Sequence, residues 1–595
     1  MMKRASWRVL AILCTAGAAW GGPAATRINV VRVGTVNAGA IAGGSTSFND
    51  SINDAVRRPD SEINRRIPHT AYSPARVPAS HVPNVAGNSI AATNPGFTGA
   101  AGLTHLDQRL AGTGSFADTQ FSLEPPDQGL CVGGGFVIET VNTAMRIRNT
   151  SGSALTGPIA LNQFFGLAPE IAGRTTTTPV FGDFTSDPRC YWDRDTRRFY
   201  LTLLQADEVP STGAITGKSS VMIAVSQTSD PTATWNIYRT DTTNDGTHGT
   251  PTHSNCPCFG DQPLIGADAN GFYISTNEFP WFTAGFNGAQ IYAMDKFALA
   301  AGTAIQVSSF NTGAIAAPDG GIWYSVQPAT IPPGGTFESA AGGTEYFLSA
   351  LDFNGTLDNR IAVWAVTNSA SLRTATPNVS LSLAVIDSQV YGQGPAAEQQ
   401  DGPRPLGASL KEKLEFLDNN DDRMQQVMFA NGRLWSALNT VVKTPNRPAA
   451  SGIAYFAVSP AVGTAGAVSG SVVTQGYVAV NTQHVIFPSV AVNAAGQGAM
   501  VFTLTGNAWF PSAAYVTLDA VNGAGPIHVA GAGTGPEDGF SGYGAFGGNR
   551  VARWGDYSAA TVDDAGNIWM AAEFIPGSPR TVLANWGTLI GLLVP

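Results

Sequence analysis

The chain has 595 residues, of which 13% are charged and 43% hydrophobic, and its formal net charge is −10. This composition excludes an intrinsically disordered protein and a coiled coil, because both need far more charged or polar residues. The 43 acidic residues outnumber the 33 basic residues, so the chain has no general attraction for a phosphate backbone. Nucleic acid is therefore not expected as a partner.

The first predicted element is an export signal over residues 1–25. Lys3 and Arg4 precede the apolar run 9–19, and small residues follow it. Such a run is too short to span a bilayer as a mature helix. No later segment has 18 uninterrupted apolar residues. We therefore predict a secreted protein, extracellular or periplasmic, that is monomeric and has no membrane span in the mature chain.

Residues 26–120 are predicted to form a low-complexity leader that is largely unstructured. The segment is rich in Ala, Gly, Ser, Pro and Asn, and it carries the basic doublets Arg57-Arg58 and Arg65-Arg66. Solvated charge is the simplest interpretation of these arginines. From residue 121 onward, short runs of Val, Ile, Phe, Tyr and Trp alternate with Gly, Asp and Asn, which indicates strands and turns.

The mature chain keeps four cysteines after Cys14 is lost with the signal: Cys131, Cys190, Cys256 and Cys258. An even number of cysteines in an exported chain predicts two disulfides. A bridge from Cys256 to Cys258 would close a small strained ring, so each of them is expected to pair with Cys131 or Cys190. The alternative is a tetrathiolate zinc site, which lacks the usual C-x2-C spacing and is disfavoured in an oxidising compartment.

An internal repeat organises residues 121–595. Its clearest copies, Gly260–Phe279 and Gly555–Phe574, each read Gly-Asp, strand, Gly turn, second strand and Glu-Phe. Looser copies make seven in all, and they begin at Pro126, Gly182, Gln327, Asp421 and Pro488. Because a third apolar strand follows each hairpin, the pattern predicts an all-β fold, a seven-bladed β-propeller.

The last copy lacks an outer strand of its own, since the chain ends at Thr588–Pro595. A sheet in a propeller must be completed to protect its edge. A strand from before Asp127, at Phe121–Leu123, is therefore expected to complete the last blade.

Several motifs resemble exported bacterial β-propeller proteins of the sialidase-like superfamily: Glu124–Gly129, Asp187–Asp193, Ser229–Trp235, Thr276–Phe279 and Arg553–Ser558. The resemblance covers residues 121–595 and implies the propeller fold. It implies little about activity, since most of these proteins have no assigned function. Ser229–Trp235 resembles an Asp-box without its central Gly, and no Phe-Arg-Ile-Pro motif or trio of arginines accompanies it, which argues against sialic acid cleavage.

The repeat also predicts a ring of polar side chains at one face of the central channel. Its Asp opens the innermost strand of a blade, and its Glu or Asn, seven residues after the turn glycine, ends the returning strand. Both positions lie at the same mouth of the channel. The set comprises Asp127, Asp183, Asp261, Asp556, Asn142, Asn439, Glu278 and Glu573.

Oxygen ligands in a ring suit a hard cation such as calcium, for which Asp261 and Asp556 are the candidate ligands. Carboxylates there also suit acid–base work on a sugar, with Glu278, Glu573, Asp261 and Asp556 as candidate catalytic groups. Asp127, Asp183, Asn142 and Asn439 are then candidate ligand-binding residues. In the structural alternative, each of these groups only bonds turn amides.

We therefore predict either bound calcium or at least one carboxyl with a raised pKa at this mouth. The loop that carries His248 and His253 beside Asp241 and Asp245 is interpreted as solvated, since no metal-binding spacing accompanies these histidines. The predicted function is binding of an extracellular glycan or surface polymer at the channel face. The alternatives are a sialidase-like glycan hydrolase or lyase, and a non-catalytic adhesion module.

Overall fold

The structure, a computed structural model, describes residues 20–41, 43–52, 81–303, 305–318, 320–351 and 357–595. Residues 1–19 of the predicted export signal lie outside these residues, whereas Trp20 and Gly21 form a strand. Strands account for 49% of the structure and helices for 8%, so the all-β prediction is confirmed. Within the described ranges, every helix is too short or too polar to cross a bilayer.

The strands form successive antiparallel units, and three strands precede the first of them. These are β1 (Trp20–Gly21), β2 (Thr26–Asn37) and β3 (Phe97–Thr104), followed by helix α1 (His105–Arg109). The first unit contains β4 (Gly129–Gly133), β5 (Phe136–Val141), β6 (Ala144–Asn149) and β7 (Ile159–Ala160). Helix α2 (Leu161–Phe165) and the short hairpin β8 (Ile171–Ala172) and β9 (Val180–Phe181) lead onward.

The next two units have longer strands. The second contains β10 (Phe184–Asp193), β11 (Arg198–Glu208), β12 (Ile215–Ser226) and β13 (Thr234–Asp241). The third contains β14 (Cys258–Ala267), β15 (Gly271–Pro280), β16 (Gly288–Asp295) and β17 (Ile305–Asn311), with helix α3 (Lys296–Ala301) before its last strand.

The fourth and fifth units are separated by helix α4 (Pro405–Leu410) and β22 (Phe416–Leu417). The fourth contains β18 (Gln327–Thr330), β19 (Thr344–Ala350), β20 (Asp358–Thr367) and β21 (Ser380–Tyr391). The fifth contains β23 (Val427–Ala430), β24 (Arg433–Lys443), β25 (Ala449–Val462) and β26 (Val468–Val478).

The remaining units complete the chain. The sixth contains β27 (His484–Val492), β28 (Gln497–Gly506), β29 (Trp509–Asp519) and β30 (Gly523–Gly531). After β31 (Val551–Ala552) come β32 (Ala559–Val562), β33 (Ile568–Phe574) and β34 (Gly587–Leu593). Single 3-10 turns lie at Ala38–Ile41, Gly114–Phe116, Thr312–Ala314, Ala340–Gly342, Ser369–Arg373 and Gly544–Phe546.

The first strand of each unit lies against the first strand of the next unit, and β32 lies against β4, so the ring closes on itself. Every residue of β15 and of β27 is buried, because inner strands are covered on both faces by neighbouring sheets. Antiparallel sheets arranged radially in this way form a β-propeller, which leaves only short, protected sheet edges.

A strand from before Asp127 does complete the last unit, but it is β3 and not Phe121–Leu123. β3 pairs antiparallel with β34, with Phe97 opposite Leu593 and Gly99 opposite Gly591. The strand is built largely from Gly, Ala and Thr, so it lacks the β-branched and aromatic residues that would have marked it.

The prediction of an unstructured leader is also wrong for part of residues 26–120. β2 pairs with β13 on one side and with β17 on the other, so it joins the outer edges of the second and third units. Its Ile28 and Val30 are buried in the core. Two outer edges that would otherwise expose unpaired backbone are thereby covered.

The disulfide pairing differs from the predicted one. Cys131 bonds to Cys190, with Cα atoms 5.3 Å apart, and Cys256 bonds to Cys258, with Cα atoms 4.5 Å apart. The first bridge ties β4 to β10, two neighbouring inner strands. Cys256 and Cys258 therefore pair with each other and not with Cys131 or Cys190, and the four sulfurs do not form a tetrathiolate site.

A buried ion pair links the second and third units. Lys296, the first residue of α3, places Nζ 2.8 Å from Asp193 Oδ1 at the end of β10, and both side chains are 1% exposed. The ammonium also contacts Asp195 Oδ2 at 3.0 Å and donates to the carbonyl of Asp268 at 2.7 Å. All three of its protons are thus directed at oxygen atoms.

Candidate functional site

A cavity of about 290 Å³ lies where the inner strands of several units begin. Six acidic residues line it, and four of them come from the starts of the first, second, third and last units: Asp127, Asp187, Asp261 and Asp556. Asn142, Gln262, Arg423 and Arg553 add amide and guanidinium groups, and Phe184 and Leu123 add apolar surface. The lining is therefore polar and predominantly acidic.

A recurring backbone feature places these side chains. Asp127, Asp187, Gln262 and Asp556 have φ values of 49°, 57°, 51° and 41°, in the left-handed region that non-glycine residues seldom adopt. Shifts of register follow in the second and third units, between Ser186 and Arg189 and between Asp261 and Leu264. A bulge of this kind redirects a side chain, and here the redirected side chains line the cavity.

In three units, a residue with left-handed backbone donates its N–H to an asparagine side chain of the preceding unit. Asn142 Oδ1 accepts from the backbone N–H of Asp187 at 2.9 Å, and Asn439 Oδ1 accepts from that of Phe487 at 2.7 Å. Asn277 Oδ1 accepts from the N–H of Ser325 at 2.7 Å. We call these contacts the amide links. They connect the second strand of one unit to the start of the next.

Replacement of Asn439 by alanine is expected to lower the free energy of unfolding by about 1–3 kcal/mol, because it leaves the buried N–H of Phe487 without an acceptor. Urea unfolding followed by tryptophan fluorescence measures the change. Asn507→Ala is the control, since Asn507 is exposed and donates only to Glu398; its effect should stay within about 0.5 kcal/mol. Equal effects of the two changes would remove the amide link as a stabilising contact.

Asp127 is the most enclosed carboxyl in the cavity lining, with 2% of its surface exposed. Its Oδ2 accepts from Asn142 Nδ2 at 2.8 Å, whereas its Oδ1 is buried without a hydrogen-bond partner. Burial raises the pKa of Asp127 well above its usual value, and the charges of Asp556 and Asp187 raise it further. These effects favour the protonated form of Asp127.

Asp187 lies beside it. Its Oδ1 accepts from the hydroxyl of Tyr557 at 3.2 Å, and its Oδ2 accepts from the backbone N–H of Gln262 at 3.3 Å. Burial raises the pKa of Asp187, as does the charge of Asp556, while Arg553 and the neighbouring carboxyl of Asp127 oppose the rise. The protonation of the two carboxyls is therefore linked.

Two other carboxyls of the cavity lining, those of Asp556 and Asp261, lie near arginines. Arg553 Nη2 contacts Asp556 Oδ2 at 2.6 Å. Burial and the charge of Asp187 raise the pKa of Asp261, and Arg423 opposes this rise. Arg423 itself forms a two-point ion pair with Asp421, with both N···O distances 2.7 Å, and donates to Gln262 Oε1 at 2.8 Å. Both guanidinium groups are thus already engaged by aspartates.

The structure brings only part of the predicted ring together. Asp127, Asp261, Asp556 and Asn142 line the cavity, whereas Asp183, Asn439, Glu278 and Glu573 are not among its lining residues. Asp183 accepts from the N–H of Ala168 at 2.8 Å and from Gln205 at 2.6 Å. In the second unit the cavity position belongs to Asp187, four residues later.

Glu573 and Glu278 both lie buried at the ends of second strands. Glu573 Oε2 accepts from the N–H of Gly555 at 2.8 Å, and burial raises its pKa well above the usual value. Glu278 contacts His253, Asn244 and Asn287 instead. The amide link of this unit is made by the preceding residue, Asn277, so counting seven residues from the turn glycine selected the wrong side chain.

A second group of buried carboxyls lies beside the cavity. Glu124, Glu415 and Glu537 are 7%, 2% and 3% exposed. Gly539 and Gly542 pack directly on them, because a Cβ atom at either glycine would overlap Glu124, Glu537 or Glu415. Both carboxyl oxygens of Glu415 and Oε2 of Glu537 are buried without hydrogen-bond partners. We call these three residues the glutamate cluster.

Burial raises the pKa of each member of the glutamate cluster, and for Glu415 and Glu537 the charges of other members raise it further. The pKa of Glu124 rises to about 7 and that of Glu415 to about 9. For Glu537, burial and the charges of Glu415 and Glu124 place the pKa well above its usual value. The raised pKa values therefore favour the protonated form of each member.

The sequence reasoning missed Asp187, Gln262, Arg423 and the glutamate cluster. A signal for the first two was present, since the residue before a proline recurs at the bulge in Asp187-Pro188, Gln262-Pro263 and Phe487-Pro488. Alignment on this dipeptide would have placed the second unit correctly. The glutamate cluster has no such signal, because its members come from three loops far apart in the chain.

No protein-family model and no curated protein matches the sequence. Among solved structures, a protein of unknown function from Dyadobacter fermentans is 10% identical, with 69% of this chain and 95% of that chain covered and a TM-score of 0.32. An endo-arabinase from Bacteroides thetaiotaomicron is 12% identical, with coverages of 69% and 94% and a TM-score of 0.27. Trypanosoma rangeli sialidase is 10% identical, with coverages of 69% and 55% and a TM-score of 0.30. TM-scores this low do not support a conclusion about fold or function, so the fold is assigned from the strand pairings alone.

Proposed function

We propose that the chain is an exported seven-bladed β-propeller whose cavity binds a neutral, hydroxyl-rich ligand, a sugar residue of an extracellular glycan or surface polymer. The blade count is supported by the closed ring of inner strands β4, β10, β14, β18, β23, β27 and β32. Export is supported by the two disulfides, which persist in oxidising compartments.

The observation that carries the proposal is the unpartnered Oδ1 of Asp127 in the cavity wall. A buried polar atom without a partner costs free energy, and a ligand hydroxyl removes that cost by supplying the missing hydrogen bond. Asn142 and Gln262 provide amides at the same wall, and amides can both donate to and accept from hydroxyl groups.

The charge of the lining favours a neutral ligand over an anionic one. Six acidic residues line the cavity, Glu124, Asp127, Asp187, Asp261, Asp418 and Asp556, against two arginines. Both arginines are engaged by aspartates. A sialic acid carboxylate would meet no free guanidinium here, so a sialidase-type substrate is disfavoured.

The cavity volume sets the size of the ligand. About 290 Å³ lies at the lower end of the range of small-molecule sites, roughly 300–1,000 Å³. One sugar ring suits this volume, so a longer glycan would place a single residue in the cavity. Phe184 and Leu123 offer apolar contact for the C–H face of that ring.

Saturation-transfer NMR with L-arabinose, D-galactose and D-glucose as neutral probes, and N-acetylneuraminic acid as the acidic probe, tests the proposal. At least one neutral sugar is expected to bind. Asp127→Ala is expected to weaken that binding about 10-fold or more, because it removes the carboxyl oxygen that pairs with the ligand hydroxyl. Asp183→Ala, at an acidic position outside the cavity, should leave binding unchanged.

Binding of the acidic probe alone, or equal loss in the two variants, would refute a neutral sugar site in this cavity. The same titrations with CaCl2 and with EDTA examine calcium, which the sequence offered as an alternative. A calcium requirement that disappears in Asp261→Asn and Asp556→Asn would assign those carboxylates to a cation instead.

A second candidate function, glycan hydrolysis, is favoured by the contrast between Asp127 and Asp556. The raised pKa of Asp127 favours its protonated form, whereas Arg553 compensates the charge of Asp556. Such a pair can divide general acid and general base roles. Release of p-nitrophenol from the corresponding glycosides tests this function. Asp127→Asn should then lower kcat about 100-fold or more, since it removes the acid.

A further inference from the structure

A second site lies on the third unit, where the Cys256–Cys258 pair meets Glu278, and none of these three residues is among those that line the cavity. The two sulfurs and a carboxylate oxygen lie within 4.8 Å of one another. Cys256 Sγ is 3.8 Å from Glu278 Oε1. Among the residues that the structure describes, this is the one group of three or more His, Cys, Asp and Glu side chains whose ligand atoms lie this close together.

The surrounding side chains hold Glu278 in place. His253 Nδ1 lies 2.8 Å from Glu278 Oε1 and 3.1 Å from Oε2. Asn287 Nδ2 donates to Glu278 Oε1 at 2.9 Å and also lies 3.6 Å from Cys256 Sγ and 3.4 Å from Cys258 Sγ. Histidine and amide donors that orient a carboxylate and contact sulfur in this way are the usual outer partners of metal ligands.

We propose that this is a thiol-dependent zinc site: when the Cys256–Cys258 disulfide is reduced, the two thiolates and the Glu278 carboxylate bind one Zn²⁺. Two thiolates and one carboxylate give three protein ligands, and water takes the fourth tetrahedral position. Zn–S bonds of about 2.3 Å require the two sulfurs to lie about 3.7 Å apart, so the site forms only once the disulfide bond is broken.

The chemistry balances with an external thiol as the reductant. Two thiol molecules reduce the disulfide, yielding the Cys256 and Cys258 thiols and one disulfide of the reductant. Zn²⁺ then displaces one proton from each cysteine thiol and binds the two thiolates. Cys256 is partly exposed and Cys258 is fully buried, so the external thiol attacks at Cys256.

Cys131–Cys190 supplies an internal comparison. No carboxylate or imidazole completes a three-residue group around that pair in the described part of the chain. Both of its cysteines lie on inner strands of neighbouring units, where the bridge has a connecting role. Reduction at that pair is therefore expected to yield thiols but no zinc site.

Zinc binding is measured on the full chain after anaerobic treatment with a phosphine reductant, removal of the reductant and titration with ZnCl2 against a chromophoric chelator. We expect one Zn²⁺ per reduced chain and none per oxidised chain. The control Cys131→Ala/Cys190→Ala should keep this stoichiometry, whereas Cys256→Ala/Cys258→Ala should lose it. Glu278→Gln should weaken binding about 100-fold and His253→Ala about 10-fold, in line with ligand and outer-partner roles.

Alkylation and spectroscopy provide readouts that do not depend on affinity. Zinc should protect Cys256 and Cys258, but not Cys131 and Cys190, from iodoacetamide in mass spectra of the digested protein. Co²⁺ in place of Zn²⁺ should give thiolate-to-metal absorption that Glu278→Gln alters. Failure of reduced protein to bind zinc, unchanged binding in Cys256→Ala/Cys258→Ala, or loss of the native circular dichroism that zinc does not restore would each overturn the proposal.

Discussion

Replacement of Lys296 by methionine is expected to lower the free energy of unfolding by about 3–5 kcal/mol, the range found when one partner of a buried ion pair is removed. The change leaves Asp193, which is 0% exposed, without its cation. It also removes the donor to the carbonyl of Asp268. Urea unfolding followed by tryptophan fluorescence measures the loss.

Two further variants make the result specific. Lys443→Met is the control, since Lys443 is exposed at the end of β24, and its effect should stay within about 0.5 kcal/mol. The double change Lys296→Met/Asp193→Asn should recover part of the stability, because the uncompensated buried charge is removed. A loss below about 1 kcal/mol for Lys296→Met would contradict a structural role for this ion pair.

The protein is also expected to be several kcal/mol less stable at pH 9 than at pH 5, because of the glutamate cluster. Glutamates in an unfolded chain have a pKa near 4.5, whereas burial raises the pKa of Glu124 to about 7, and burial together with the charge of Glu124 raises that of Glu415 to about 9. The folded state therefore binds more protons than the unfolded state. Its stabilisation is complete below about pH 4.5 and is lost as the pH rises through 7 to 9.

The variant Glu415→Gln should reduce this pH dependence, since glutamine stays neutral; each unit by which a pKa moves corresponds to about 1.4 kcal/mol. Glu398→Gln is the matched control, because Glu398 is partly exposed and is not among the charges that raise the pKa of a cluster member, and it should keep the slope of the parent protein. Unfolding curves at pH 5, 7 and 9 in the presence of EDTA measure the effect. A parent protein equally stable at all three values would contradict protonation of the cluster.

The blade repeat was readable from the sequence because each inner strand is buried on both faces and bounded by turn residues. The strands β2 and β3 could not be predicted from the sequence, because they lie outside the repeat. β2 presents mostly exposed residues, and β3 is mostly Gly, Ala and Thr. Both segments form strands because they pair with sheet edges that would otherwise be unpaired. Tertiary context decides the structure of such segments.

The candidate site was predictable to the extent that it follows the repeat. Asp127, Asp261, Asp556 and Asn142 were found because they open or close strands at one mouth of the ring. Asp183 was selected in place of Asp187 because the repeat is degenerate in the second unit, where a bulge adds residues without changing the apolar pattern. Arg423 lies outside the strands, so its place depended on the fold of a loop.

The pairing of β3 with β34 makes completion of the last sheet depend on two segments that lie far apart in the sequence. Contacts between such distant segments are slow to form, because a very long loop must close before any backbone hydrogen bond forms. During synthesis, the facing edges of β3 and β33 stay without their final partner until Gly587–Leu593 has been made. A chain cut short before this strand therefore keeps unpaired edges on β3 and β33, and such edges favour aggregation and proteolysis.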